Sequence, residues 1–402
     1  MSILAATGGS ARPDAESAVH EAWSRLIEKV PAPSLVLLAA TVGYDLEAVR
    51  TALLGRSGDT PFMGGTSCGG VMTDEGFFGV DGHGLALFAI SDPEGDFGVG
   101  MAPLGDDPRA AARTAVQAAL ENAGCAGQLP SAVWMVTTPG GEEAVVRGIA
   151  DVVGEDMPLV GGSAADDNLE GRWRQIVPEG VLADHVCVAV LFPSGEVSAS
   201  FHSGYDATAH TGVVTRAEAR TIHEIDGRPA AHVYDGWTGG AIAGVIAEGG
   251  GAVLSKTNLC PLGRFLREVS GVPYFVLSHP ERATPEGALQ LFTDVAVGDR
   301  LVCMTGSIDG LVARAGNVAR SALTMTGGTV AEARAALIIF CGGCLLTVRE
   351  RIHEVHENIR RELGGIPFLT MFTFGEQGRI VDVGNRHGNL MISTLVLTER
   401  AA

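Results

Sequence analysis

Apolar and polar positions alternate along this chain at two periods. Consecutive apolar runs at Ser34 to Thr41, Leu85 to Ile90, Val133 to Thr138, Val186 to Phe192, Tyr274 to Ser278 and Leu301 to Thr305 are short. Their Val, Ile and Leu content predicts strands buried on both faces. Between them, Glu16 to Val30, Leu46 to Leu54, Pro108 to Asn122, Glu142 to Val153, Gly310 to Leu323 and Val348 to Leu363 read as helices. Val214 to Ile225 alternates and predicts one further strand. Asp226-Gly-Arg-Pro229 reads as a turn, with Pro229 opening a helix over Ala230 to Asp235. The pattern predicts an α/β protein, mixed sheets with flanking helices. No repeat at a fixed short period is visible.

The 402 residues exceed one typical core, so two domains are expected, 1–195 and 196–402, with the boundary at Pro193-Ser-Gly195. Hydrophobic residues make up 46% and mean hydropathy is +0.23, ample for buried sheets. No apolar run approaches the roughly 18 residues that cross a bilayer. The start, Met1-Ser-Ile-Leu-Ala, lacks the charged opening and apolar core of a signal peptide, so a cytoplasmic protein is expected. A net charge of −19 disfavours a nucleic-acid partner, which requires a cationic face.

Seven cysteines, an odd number, sit largely in apolar surroundings and predict buried free thiols. Cys341-Gly-Gly-Cys344 has the spacing of half a zinc site or of a redox dithiol, but no second pair matches it, and no metal site is assigned. The turn Gly64-Gly-Thr-Ser-Cys-Gly-Gly70 fits neither nucleotide-binding glycine pattern. In Gly161-Gly-Ser-Ala-Ala-Asp-Asp167, Ser163 and the glycines are candidates to line a cavity, and the aspartates read as caps. His353 and His356 lie on a densely charged helix and read as a solvated face.

Two segments carry candidate chemistry. Lys29 and Lys256 are the only lysines. Ser255, Lys256 and Arg264 follow the apolar Ala252-Val-Leu254, and either cation could hold an anionic ligand. Near the C-terminus, Cys341 ends an apolar run, Glu376 follows Phe372-Thr-Phe374, and His387 and Asn389 share a face if extended. Reactive side chains at the ends of buried strands predict one shared small-molecule pocket.

The order of these motifs resembles that of FIST proteins. Gly64-Gly-Thr-Ser-Cys-Gly-Gly70 and Val160-Gly-Gly-Ser-Ala-Ala-Asp-Asp167 are similar to small-residue turns of a FIST N domain. Pro261-Leu-Gly263, the block ending at Cys344, Thr373-Phe-Gly-Glu376 and His387-Gly-Asn389 are similar to a FIST C domain. Many members have CxxR where this chain has Cys341-Gly-Gly-Cys344. The resemblance implies a sensory module for small ligands, and, from one bacterial branch, haem as a cofactor. No HxxxC or CxxCH signature accompanies it.

The first expectation is therefore a ligand-binding sensor. Its ligand would be a small carboxylate, an amino-acid-like compound or haem, held by Ser163, Ser255, Lys256, Arg264, Cys341, Glu376, His387 and Asn389. A separate signalling protein would read the bound state, and a homo-oligomer is compatible with this. The alternative is a hydrolase or lyase acting on a carbonyl compound, with Cys341 as nucleophile and Glu376 or His387 as base. A scaffold without a pocket is the third expectation.

Overall fold

The computed structural model describes residues 3–269, 271–325 and 327–399. Among them the strands form three six-stranded sheets and one of nine strands. The fold is mixed α/β. Among the described residues no helix is long and apolar enough to cross a membrane.

The three six-stranded sheets follow one plan: strand, helix, strand, helix, strand, hairpin, strand. The first unit runs from Leu4–Ser10 to Leu85–Ser91, the second from Asp96–Pro103 to His185–Phe192, the third from Glu196–His202 to Ile392–Thr398. Each has a parallel central pair, with Ala40 opposite Thr66, Thr137 opposite Ser163, and Cys341 opposite Thr373. Each unit gives its hairpin away. Val71–Thr73 joins Phe368–Thr373, Gln175–Val177 joins Phe62–Thr66, and Glu376–Ile380 joins Leu159–Ser163. The exchange closes a ring of three. The nine-stranded sheet, spanning residues 206–305 between Glu196–His202 and the helix Ile308–Thr324, is an insertion in the third unit.

The strands are continuous apolar runs because both faces are covered. Inward faces meet in one shared core, where Leu37, Trp134, Leu337, Ile339, Leu369 and Leu395 pack together. Outward faces carry helices: Ala15–Lys29 and Leu46–Ser57 on the first unit, Pro108–Asn122 and Glu142–Val153 on the second, Ile308–Thr324 and Ile352–Glu362 on the third. Each large side chain buried this way contributes about 1.5–3 kcal/mol. Asp14, Asp45, Asp107 and Ser307 accept first-turn N–H groups and fix where four of these helices begin.

Two elements differ from the sequence reading. Val214 to Ile225 is two strands, Asp206–Glu218 and Thr221–Ile225, turned at Ala219 with φ +48°. No glycine or proline marks that turn, so the alternation runs through it unbroken. The helix expected over Val348 to Leu363 begins earlier, at Gly342, and passes through a 3-10 turn at Arg349–Arg351 before Ile352–Glu362. Two glycines, poor helix formers, disguise its start.

Candidate functional site

A cavity of about 270 Å³ lies where the strands of the third unit end. This is the position at which sheets of this kind bind ligands, beyond the carboxyl ends of their strands. Three sources build its wall: Asp167 to Leu169 from the loop after Leu159–Ser163, Leu254, His279 and Phe292 from the insertion, and Cys341, Leu346, Phe374, Gly375 and Asn389 from the third unit. The wall is mainly apolar, with Asp167, Asn168, His279, Cys341 and Asn389 as its polar points.

Those points are held in place. Asp167 accepts the Gly69 N–H at 2.6 Å. Asn389 accepts the His279 N–H at 3.1 Å, which ties the insertion to the third unit. The His279 ring bonds Thr257 Oγ1 through Nε2 at 2.9 Å, and burial pushes its pKa down to about 3, so the imidazole is neutral. Gly375 has φ +146°, and a Cβ there would lie 2.5 Å from His387 Cε1. Only glycine suits that position.

Beneath Cys341 lies a cluster of buried sulfur and charge. Cys341 ends its strand and Cys344 follows one helical turn later. Arg314 places Nη2 3.2 Å from Cys344 Sγ and donates Nη1 to the Ser203 carbonyl. Tyr205 Oη is 3.8 Å from the same sulfur and donates to the Asn258 carbonyl at 2.6 Å. Burial pushes the Cys344 pKa up, but the Cys341 thiol, Arg314 and Tyr205 outweigh it and bring it down to about 6. Interaction with the Cys344 sulfur, together with burial, drives the Cys341 pKa well above the ordinary range. The surroundings therefore favour charge on the inner sulfur over the cavity-facing one. Glu376 sits beside them, fully buried, and burial raises its pKa well above the carboxylate range. It accepts from Thr373 Oγ1, from the Gly375 N–H and from the Met391 N–H.

A second buried cluster lies behind Gly375. Arg220 Nη2 bonds Glu142 at 2.7 Å and Glu143 at 2.9 Å, and its Nε bonds Asp294 at 3.1 Å. Ser163 Oγ donates to Glu142 at 2.9 Å. A ring nitrogen of His387 lies within 4.8 Å of oxygens of Glu142 and Glu143. Burial works to raise the Glu142 pKa, but His387 and Arg220 overcome it and hold the carboxyl below its usual range. His387 Nδ1 is 3.0 Å from Gln377 Nε2, and its Nε2 is buried with no partner among the described residues. The Arg220 guanidinium already supplies the cation this carboxylate pair requires.

The residues singled out from sequence divide accordingly. Cys341 and Asn389 are on the cavity wall, Glu376 is below it, and His387 and Ser163 stand behind Gly375. Ser255 and Lys256 are exposed on the short helix Leu254–Thr257, whose first residue lines the cavity. Arg264 is largely buried, 3.9 Å from Asp299. Neither cation reaches the wall, where Asp167 is the charged side chain among the described residues. Haem does not fit: His279, the histidine on the wall, has Nε2 engaged by Thr257. Sequence reasoning passed over Arg314, Tyr205, Glu142, Arg220 and His279. Arg314 carried a signal, because Leu311, Ala315 and Val318 place it on the buried face of its helix.

Comparison with known proteins finds two matching domain families along the chain. Residues 34–228 match the FIST N domain and residues 230–379 the FIST C domain. Uncharacterized protein MJ1623 of Methanocaldococcus jannaschii is 33% identical over 88 residues, 21% of this chain and 17% of that protein's own length. Among solved structures, cyanuric acid hydrolase from A. caulinodans superposes with a TM-score of 0.41 at 10% identity, over 99% of this chain and 100% of that one. PurLQS from Thermotoga maritima reaches 0.23 at 10% identity, over 76% and 73%. Likenesses this weak carry no argument about chemistry. The two domain matches span most of the sequence, and the chain belongs to the FIST family, with a FIST N domain followed by a FIST C domain.

Proposed function

We propose that this protein senses a small molecule bound in the cavity of about 270 Å³. The observation that carries the reading is the composite wall. A ligand there touches the loop after Leu159–Ser163, the insertion and the third unit together, so its binding energy biases how these parts sit against one another. The FIST domains are consistent with such a role. The wall selects a compact, mainly apolar molecule that is neutral or cationic. Leu169, Leu254, Phe292, Leu346 and Phe374 supply contact area, and Asn389 and Asp167 supply polar recognition. A carboxylate would meet Asp167 and no cation on that wall. A separate protein would read the bound state.

The test is a thermal-shift screen of neutral and cationic compounds of fragment size, on the native chain and on Leu346→Trp. Leu346 is 53% exposed, so the substitution fills the cavity mouth without disturbing the core. A ligand at a hundred times its Kd stabilises the native chain by about 2.7 kcal/mol. Hits should vanish in Leu346→Trp. Hits that persist there, or a screen that yields none, would overturn the reading.

A further inference from the structure

We propose that Cys341 and Cys344 are a redox-active dithiol that exchanges with a low-molecular-weight disulfide admitted by the cavity. Three observations of geometry lead to this. The two sulfurs belong to one strand-to-helix turn, three residues apart, so closing a bridge requires no distant element to move. Cys341 faces the cavity, whereas Cys344 is fully buried behind it, the division of labour of an attacking and a resolving sulfur. The guanidinium of Arg314, buried in an apolar helix face, places Nη2 3.2 Å from Cys344 Sγ. A buried cation is costly without a counter-charge, and the ionisable group it touches is the Cys344 sulfur. A merely structural cysteine pair requires no such counter-charge.

The exchange balances as follows. Cys341 Sγ attacks one sulfur of R–S–S–R while its proton passes to Cys344, giving Cys341–S–S–R, a Cys344 thiol and RS⁻. RS⁻ then takes the Cys344 proton and leaves as RSH. The Cys344 thiolate attacks Cys341 Sγ, closes Cys341–S–S–Cys344 and expels the second RS⁻. The protein dithiol is oxidised and one external disulfide is reduced to two thiols. The co-reactant must be small and need not be anionic, because the cavity is of modest volume and its wall presents no cation.

The experiment treats the reduced full-length chain with bis(2-hydroxyethyl) disulfide near neutral pH. Samples are quenched in acid, the remaining thiols alkylated, and the peptides mapped by mass. A mercaptoethanol adduct on Cys341 should appear first, followed by loss of two hydrogens across the peptide holding both cysteines. Cys344→Ser should stop at the stable adduct, Cys341→Ser should leave Cys344 unmodified, and Arg314→Met should react about tenfold more slowly. If Cys344→Ser does not fold, the order of species in the native chain decides. Two results would overturn the proposal. In one, the half-exposed Cys260 reacts while Cys341 and Cys344 stay reduced. In the other, the bridge forms only after the chain is unfolded in guanidinium.

Discussion

The three units offer the same backbone position to very different chemistry. At the end of the central pair the first unit has Ala40 and Thr66, the second Thr137 and Ser163, the third Cys341 and Thr373. In the first, neutral groups close the loops: Thr41 donates to the Gly82 carbonyl, and Ser67 donates to the Gly70 carbonyl. In the second, Ser163 leads to Glu142, Glu143 and Arg220. In the third, Thr373 leads to Glu376 and the sulfur pair. What separates the units is the insertion. It supplies Arg220 and Asp294 to the second unit and His279 and Leu254 to the third, with Tyr205 immediately before its first strand. Excluding water there makes each charge demand a partner. The scaffold supplies buried positions in all three units, and the insertion supplies charged and polar partners to two of them.

The sharpest way to break this contrast is to remove the cation of the second unit. Arg220→Met leaves Glu142 and Glu143 facing each other in a buried site. Losing one partner of a buried ion pair costs about 3–5 kcal/mol, which chemical denaturation will measure. Glu142→Gln in the same background should recover part of that loss, since it removes the stranded charge. A cost under about 1 kcal/mol would mean that solvent reaches these carboxylates and that the insertion does not seal them.

The next prediction concerns pH in the third unit. Cys344 faces Cys341, Arg314, Tyr205 and Glu376, and its pKa falls from 9.0 to about 6. A depressed pKa contributes stability in full above the unfolded value, and that contribution is lost as pH falls through the folded value. Glu376, whose pKa is raised, acts in the opposite sense: its contribution is present at low pH and fades as pH rises. The stability difference between the native chain and Cys344→Ser should therefore grow as pH rises from about 6 to 9. The thiolate absorbance should titrate with a midpoint near 6 and move upward in Arg314→Met. A pH-independent difference would remove the thiolate from the third unit and with it the contrast with the second.

A smaller effect is expected at Gly375. Its left-handed backbone and the 2.5 Å approach of His387 leave no room for a side chain. Gly375→Ala should cost about 1–3 kcal/mol, and by displacing His387 it should also weaken ligand binding in the neighbouring cavity. Denaturation and the thermal-shift screen read the two effects separately.

Much of the architecture was legible because its cause is local. Helices Pro108–Asn122 and Glu142–Val153 carry their own start signals, and the buried strands are apolar throughout. Cys341, Glu376 and Asn389 stood out as reactive residues at the ends of such strands. The exchange of hairpins was not legible: the neighbour of Glu376 is Gly162, far earlier in the chain, and nothing beside either residue encodes the pairing. The three units share a plan rather than a sequence, so the repeat leaves no short period to find. Arg220 sits in a turn that lacks glycine and proline, and its partners Glu142 and Glu143 come from another unit.

Lys256 provides the smallest and most discriminating contrast. By composition it is conspicuous, one of two lysines in the chain. By position it is exposed on Leu254–Thr257, adjacent in sequence to cavity-lining Leu254 yet turned to solvent. A charge in water gains little from its surroundings, so Lys256→Ala should change stability by no more than about 0.5 kcal/mol in either direction. Ligand-induced thermal shifts should be unchanged, because no ligand on the wall is within its reach. Arg220, equally far from any sequence motif, should cost several times more. If Lys256→Ala instead abolished binding, the ligand would be anionic and seated outside the cavity, and rarity in the sequence would have been the better guide than burial.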